Sequence, residues 1–202
     1  MVRKTQQIST KLENNITEVG KIPNDWELLK LEDVCESIND GTHFTPKYKI
    51  DGVPFYSVEN VTNKNFSDVK FISKQEHDIL IKRCKPEQND ILLTRIGSIG
   101  ETKLIDWDIN ASIYVSLGLL KIDKKKIDVN YLYAYTKSNL FKNSVKKRSL
   151  TNATPQKINM GDIGKVPIPT PKQNSEQILI AKSIIDSINL EEKLSELIVK
   201  KK

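Results

Sequence analysis

Cysteine and histidine are scarce in this sequence of 202 residues, which contains two of each. Cys35 and Cys84 lie far apart and form no CxxC pair. Structural zinc sites usually take their ligands in closely spaced pairs, so a zinc site here would require both cysteines, His43 and His77 to converge from separate places. We therefore expect no metal site and two reduced, structural thiols.

Long hydrophobic runs are also missing, since no stretch approaches the roughly 20 apolar residues that cross a bilayer. The polar start of the chain, residues 1–20, lacks the apolar segment of a secretory signal. Both absences favour a cytoplasmic protein without a membrane anchor.

Signatures of catalysis are absent as well: no GxSxG, HExxH or NPPY-like tetrapeptide occurs. The segment GSIGET, Gly97–Thr102, lacks the lysine of a P-loop and the third glycine of a dinucleotide fingerprint. We predict that it forms a tight turn between two strands. The sequence thus indicates no catalytic centre and no cofactor.

Basic residues, by contrast, are concentrated in one segment. The formal net charge of the whole chain is +6. The segment from Lys121 to Arg148 contains nine basic residues and only two acidic ones, Asp123 and Asp128, so its own net charge is nine minus two, or +7. The rest of the chain is nearly neutral. Such asymmetry favours a polyanionic partner over a small substrate, although a solvated lysine face is the alternative interpretation.

Apolar spacing and turn residues predict a mixed order of strands and short helices without a βαβ repeat. Residues Ile22–Ile38 have the spacing of a short helix or a strand-to-helix step. Val53–Val61 and Ala111–Ile122 have the composition of strands. Phe71–Lys82 is predicted to be a helix with a capping box formed by Ser73 and Glu76.

The domain organisation follows from this order and from the proline-rich segment VPIPTP near the end. We predict an α+β fold with one globular domain over residues 21–171. A flexible or loosely docked arm, residues 1–20, precedes it, and a helix in residues 172–202 follows. At 1.5 Å per residue, its roughly 28 residues would span about 40 Å, more than the domain needs to cover its core. Its apolar stripe consists of Ile180, Ile184 and Ile188 and continues near Leu190, Leu194 and Leu197.

Two loops and one glycine turn carry side chains that suit nucleic acid, because Lys and Arg bind phosphates or guanine and Asn and Gln can pair with adenine. The first loop contains Thr42, His43, Thr45, Lys47, Tyr48 and Lys49, and Arg95 and Ser98 flank the glycine turn. The second loop and the basic residues before it contribute Lys146, Lys147, Arg148, Thr151, Asn152, Thr154, Gln156 and Lys157. We predict that these residues bind nucleic acid.

Four segments occur in a fixed order along the chain: GKIPNDWELLKLEDVCESINDGTHFTP (Gly20–Pro46), GVPFYSVENV (Gly52–Val61), NDILLTRIGSIGET (Asn89–Thr102) and ATPQKINMGDIGKVPIPTPKQNSEQILIA (Ala153–Ala181). Together they resemble the specificity subunits of type I restriction-modification systems. The likeness covers about 180 residues and corresponds to a single target-recognition domain with its following conserved helix, which makes a half-subunit.

The resemblance implies a non-catalytic subunit that reads part of a split sequence in double-stranded DNA. Modification (methyltransferase) subunits would methylate adenine, and a restriction subunit would cut the DNA. The final helix would pair as an antiparallel coiled coil, most simply with a second copy of the chain. Such a homodimer would read an inverted repeat with a gap. A helix folded back on its own domain is the alternative.

Two other classes of function compete with DNA recognition. One is a protein-interaction module whose function lies in the long helix. The other is a metal-dependent nuclease or nucleotide-binding protein built around Asp90, Glu101 and the glycine turn.

Overall fold

The computed structural model describes residues 14–150 and 152–199, in which strands and helices alternate without a βαβ repeat. The strands are β1 Asn14–Thr17, β2 Gly20–Pro23, β3 Trp26–Lys30, β4 Cys35–Asp40, β5 Val53–Tyr56, β6 Lys70–Ile72, β7 Ile91–Thr94, β8 Thr102–Leu104, β9 Ser112–Ile113, β10 Leu117–Ile122 and β11 Pro167–Pro171. The helices are α1 Val58–Thr62, α2 Lys74–Leu80, α3 Val129–Thr136, α4 Asn139–Lys147, α5 Met160–Gly164 and α6 Asn174–Val199. The mixed α/β composition and the C-terminal helix are confirmed.

An antiparallel sheet of four strands, in the order β4-β10-β7-β8, lies at the centre of the core. Successive side chains of a strand point to opposite faces of its sheet. Ile91 and Leu93 accordingly pack with α3, α4 and β11, whereas Leu92 packs on the other face with Tyr56 and Val61. Because both faces are buried, β7 and β10 are apolar at nearly every position and show no alternation of polar and apolar residues.

One end of this sheet gathers the loops that the sequence singled out. Asp40 at the end of β4 lies opposite Gly118, and Thr94 at the end of β7 lies opposite Leu117. The segments that follow β4 and β7 therefore leave the sheet side by side. The predicted tight turn between β7 and β8 is confirmed, with positive φ angles of +88° at Gly97 and +90° at Gly100.

Several of the predicted elements differ from the structure. Of the predicted arm, residues 1–13 lie outside the described residues, and residues 14–17 pair as strand β1 with β2. The short helix that was one alternative for Ile22–Ile38 is wrong, whereas the other, a strand-to-helix step, holds where β3 runs into a 3-10 helix at Leu31–Asp33 before β4 begins. The helical spacing came from Leu31 and Val34, which are both buried at this turn. The strand predicted after Val53 stops at Tyr56, and α1 follows it. The segment 111–122 forms two strands that belong to different sheets.

The helix predicted at Phe71–Lys82 is confirmed for Lys74–Leu80, which form α2, whereas Phe71 and Ile72 belong to strand β6. The hydroxyl of Ser73 accepts a hydrogen bond from the backbone N–H of Glu76 at 3.2 Å. This bond satisfies one of the free N–H groups in the first turn, as a serine N-cap should.

The prolines of β11 suit its position at the edge of a two-stranded sheet with β3. In an antiparallel pair, alternate residues direct N–H and C=O away from the partner strand. Prolines fill these outward positions and leave no unsatisfied N–H, so only their carbonyls need partners. Side chains of α3 and α6 supply them: Tyr135 donates to Pro167, Tyr131 to Pro169 and Gln177 to Pro171.

The first third of α6 is fixed to the domain by its polar side chains. Gln177 is 4% exposed; its amide oxygen accepts from the N–H of Asp128 at 2.9 Å, and its nitrogen donates to the carbonyl of Pro171 at 2.8 Å. The indole of Trp26 donates to Glu176 at 3.1 Å. These contacts set the direction in which the helix leaves the domain.

Beyond this attachment, α6 carries its apolar residues on two faces. Ala181 is buried, and Ile185 packs beside it against the domain core, together with Ile180, which the predicted stripe had assigned to a partner helix. At about 100° per residue, Leu190 and Leu194 lie on roughly the opposite side of the helix. The alternative of a helix folded back on its own domain thus holds for the beginning of α6, whereas the apolar residues near its end are exposed. No helix in the described ranges is long and apolar enough to cross a membrane.

Both cysteines are buried, unpaired and packed in different hydrophobic clusters. Burial raises the pKa of Cys35 to about 12 and that of Cys84 to about 11. The reactive thiolate is therefore disfavoured at both positions, and the expected structural role of the two thiols is confirmed.

Candidate nucleic-acid interface

Three segments form the candidate interface: loop A (residues 41–50), loop B (residues 95–101) and loop C (residues 148–158). Loop A follows β4, loop B joins β7 to β8, and loop C follows α4. Loops B and C are joined by backbone hydrogen bonds, from Gly97 N–H to the Gln156 carbonyl at 2.8 Å and from Ile158 N–H to the Arg95 carbonyl at 3.0 Å.

A buried carboxylate connects loop A with loop B. Asp40, only 4% exposed, contacts Arg95 at 3.1 Å and His43 at 2.9 Å, and its other oxygen accepts from Arg83. Burial by itself would raise the pKa of Asp40. The hydrogen bonds from Arg83 and His43, with the charges of His43 and Arg95, outweigh that effect and hold the pKa below its usual value.

Arg95 also reaches loop C. Its guanidinium donates to the carbonyl of Ile158 at 3.3 Å and to that of Val115 at 3.0 Å, in addition to its ion pair with Asp40. The residue is 7% exposed. The structure therefore places Arg95 in the interior, where it positions the loops instead of presenting its charge at the surface.

Most of the other residues predicted to bind DNA lie at the surface of the three loops or the end of α4. Exposed positions are His43, Thr45, Lys47, Tyr48, Lys49, Ser98, Lys146, Lys147, Asn152, Thr154 and Lys157. Thr42, Arg148 and Gln156 are half-buried, and Thr151 lies outside the described residues. DNA contact by individual residues stays a prediction.

Tyr48 and Arg148 each have a partner within the protein. The ring of Tyr48 lies 6.1 Å from that of Phe55, and the ammonium of Lys70 lies 4.9 Å from its centroid. Arg148 forms an ion pair with Glu18 at 2.7 Å. Tyr48 thus extends loop A towards the sheet that contains β5.

Sequence reasoning missed Asp40 and Arg83, whose interactions hold loop A. Arg83 donates to the carbonyls of Asp40 at 3.1 Å and Gly41 at 2.9 Å. It follows α2 and is distant in sequence from the loop, so no local pattern connects the two. The sequence signal that could have pointed to Asp40 is a charged residue at the end of a strand.

The basic segment divides into parts with different surroundings. Lys121 pairs with Asp90 and Glu87, and Lys142 pairs with Glu101. Lys146 and Lys147 are exposed beside loop C, whereas Lys124–Lys126 lie at the opposite end of β10. The charge of +7 is therefore partly neutralised by acidic residues elsewhere and does not form one continuous surface.

The residues of the alternative nuclease site lie apart. Asp90 precedes β7, while Glu101 lies beyond the other end of that strand, and each carboxylate pairs with its own lysine. Within residues 14–150 and 152–199, no group of three or more His, Cys, Asp or Glu side chains is arranged to hold a metal ion.

Lys137 is the residue of the basic segment whose pKa burial lowers most clearly. Burial lowers the pKa of Lys137 to about 8, although its ammonium donates to the carbonyl of Thr102 and lies 4.4 Å from the ring centroid of Tyr133. A folded-state pKa below the unfolded value means that the charged form opposes folding. This penalty is fully present below pH 8 and is relieved as the pH rises towards about 10.

We expect wild type to gain stability relative to Lys137→Met between pH 8 and pH 10, measured by urea unfolding at each pH. At pH 7 the variant should be as stable as wild type or more so, because methionine fills the same space without a buried charge. The exposed Lys124→Met variant serves as the control and should follow the wild-type pH profile. Parallel profiles for wild type and Lys137→Met would contradict the assignment.

Comparison with known proteins places the chain among related sequences and folds. The family model "Type I restriction modification DNA specificity domain" matches residues 23–200. The putative type I restriction enzyme MjaX specificity subunit of Methanocaldococcus jannaschii is 31% identical over 187 residues, covering 86% of this chain and 42% of that protein. The MjaVIII specificity subunit of the same organism is 27% identical over 198 residues, covering 92% of this chain and 45% of that protein.

Solved structures share the fold at lower identity. The S subunit of a type I restriction-modification system from M. genitalium superposes with a TM-score of 0.61 at 19% identity, covering 93% of this chain and 43% of that one. The HsdS subunit from Thermoanaerobacter tengcongensis superposes with a TM-score of 0.57 at 18% identity, covering 87% of this chain and 40% of that one. This chain thus spans less than half the length of these relatives. The match over residues 23–200 shows that it belongs to the family of type I restriction-modification DNA specificity domains.

Proposed function

We propose that this chain recognises one half of a split target sequence in double-stranded DNA as the specificity component of a type I restriction-modification complex. The observation that carries the proposal is the convergence of loops A, B and C, held by Asp40 and Arg95, in a chain of this family. Rigid support under exposed polar side chains suits base recognition, because direct readout depends on the placement of donors and acceptors.

The chain would act without catalysing a reaction and without a cofactor of its own. The modification subunits would methylate adenine in the cytoplasm, and a restriction subunit would cut unmodified DNA. The relatives are named as specificity subunits, and this division of labour extends that role to the present chain.

A second part of the proposal concerns α6, which would pair with the same helix of a second copy as an antiparallel coiled coil. Its end exposes a stripe on the side away from the domain: Leu190 (59%), Leu194 (50%) and Leu197 (57%). Pairing two such helices would bury these leucines and hold two recognition domains apart. A two-fold dimer of this kind would read an inverted repeat with a gap.

Methylation in cells tests recognition and pairing together. The chain would be co-expressed with the methyltransferase gene that neighbours it, and the host DNA sequenced for methylated adenine. We expect one gapped motif with mirror-image halves. Two different halves would mean that another specificity domain completes the complex. The absence of methylation, with a soluble and intact methyltransferase, would contradict the proposed function.

The salt dependence of DNA binding tests the exposed lysines next to loop C. Each contact between a basic side chain and a DNA phosphate makes the slope of log K against log salt more negative by about 0.9. We expect Lys146→Gln/Lys147→Gln to bind DNA more weakly at low salt and to flatten the slope by about two units per chain. Lys124→Gln/Lys125→Gln removes the same charge at the far end of β10 and should leave the slope nearly unchanged. Equal slopes for both variants would place the phosphate contacts elsewhere.

The exposed stripe of α6 also favours the competing proposal of a helix-mediated interaction module. The two functions differ in their response to polyanions. An interaction module would bind its partner equally well with and without DNA, and the chain's affinity for DNA would be weak and independent of sequence. Fluorescence anisotropy with duplex libraries separates these results.

A further inference from the structure

An open cleft of about 550 Å³ lies between loop A and α2. Phe44, Ile79 and Leu80 contribute apolar side chains to its lining, together with Ile113 of β9. Phe44 is 85% exposed and Ile79 is 66% exposed. Large apolar side chains grouped at a surface are characteristic of binding sites, and these lie beside the residues predicted to contact DNA.

The polar groups that line this cleft are largely engaged within the protein. The guanidinium of Arg83 donates to two backbone carbonyls and to the carboxylate of Asp40, and His43 contacts the same carboxylate at 2.9 Å. Further hydrogen bonding at the cleft would have to compete with these contacts. What the cleft offers to a ligand is therefore mainly apolar surface.

The backbone that presents Phe44 is held firmly. Thr42 donates its N–H to the Ile113 carbonyl at 3.0 Å and accepts from the N–H of Val115 at 2.9 Å. A Cβ atom at Gly41 would lie 2.1 Å from the Ile113 carbonyl oxygen, so this close approach requires glycine. The N–H of Phe44 donates to the Thr42 hydroxyl at 3.2 Å. Phe44 is thus exposed on a preorganised support.

We propose that this cleft is a recognition subsite for the C5-methyl group of a thymine, with Phe44 packed against the methyl group. This inference rests on the proposed DNA-binding function. The thymine methyl is the one apolar group that base pairs present in the major groove, and phenylalanine is suited to contact it. The exposed Lys47 and Lys49 in loop A favour a phosphate-bearing ligand over an apolar protein segment.

Selection from duplex libraries tests the subsite, since thymine can be replaced throughout by uracil, which lacks only the methyl group. We expect the wild-type chain to prefer thymine at one position of its half-site. In the uracil library that preference should fall by about fourfold, the worth of one buried methyl group. Phe44→Ala should show the reduced preference in the thymine library and no further change with uracil.

Ile50→Ala is the matched control, because Ile50 is fully exposed in the same loop and does not line the cleft. It should keep the wild-type dependence on the methyl group. Thermal unfolding of Phe44→Ala should match that of wild type, since the side chain contributes little to the core.

The other outcomes separate the subsite from the proposed function. Equal selection by wild type from the thymine and uracil libraries overturns the subsite but leaves DNA recognition intact. Selection of no sequence by wild type overturns both. If Phe44→Ala keeps its methyl preference and instead loses a methyltransferase subunit during co-purification, the cleft is a protein-docking surface and the methyl subsite is overturned.

Discussion

Replacing Asp40 with asparagine is expected to lower the free energy of unfolding by about 3 kcal/mol at pH 7. Removing one partner of a buried ion pair costs roughly 3–5 kcal/mol, because the remaining charge stays buried without compensation. Arg95, at 7% exposed, would be that charge. We expect the lower end of the range because the side chains of Arg83 and His43 are 58% and 60% exposed and can turn to water.

The effect should depend on pH in a defined direction. The folded-state pKa of Asp40 lies below its usual value, so its stabilisation is complete above the unfolded pKa of about 4 and disappears as the pH falls through the folded value. The difference between wild type and Asp40→Asn should therefore narrow in acid. Urea unfolding followed by circular dichroism at several pH values measures it.

Asp78→Asn is the control for this experiment, because Asp78 forms an exposed pair with Lys74. Exposed pairs of this kind contribute about 0.5 kcal/mol or less. A loss below about 1 kcal/mol for Asp40→Asn at pH 7, a third of the expected value, would show that Arg95 does not depend on this carboxylate.

Changing the exposed stripe of α6 should produce the second large effect. We expect Leu190→Glu/Leu194→Glu to convert a dimer into a monomer at micromolar concentration, measured by sedimentation. Each domain should keep its stability, because both side chains are exposed. The affinity for a duplex with two half-sites should fall by about 100-fold or more, since two linked domains gain roughly 10²–10⁴ over one.

Asn189→Glu/Ser195→Glu adds the same charge to exposed positions beside the stripe and should leave the dimer intact. Binding to a single half-site should be equal in both double variants. A wild-type chain that is already monomeric at micromolar concentration would contradict pairing through α6. Tight binding to DNA by such a monomer would leave the recognition proposal standing.

Much of the fold was predictable where one segment of the chain determines its own structure. The glycine turn, the capped helix α2 and the long helix α6 depend on backbone preferences and short-range hydrogen bonds. Errors arose where distant parts of the chain decide the outcome. Residues with helical spacing between Leu28 and Ile38 became strand and 3-10 turn because β3 pairs with β11, far away in sequence.

For the candidate interface, the sequence by itself determined the family, the polar loops and the presence of a long final helix, since these are written in local motifs and composition. Tertiary structure alone decided which residues support the loops. Asp40, Arg83 and Arg95 come from three separate segments, and burial turns their charges into a shared internal contact. The tertiary structure also decided that α6 is fixed to the domain at its start and exposed near its end. The reason is that burial and hydrogen bonding depend on which residues are neighbours in space, and these neighbours cannot be read from the sequence.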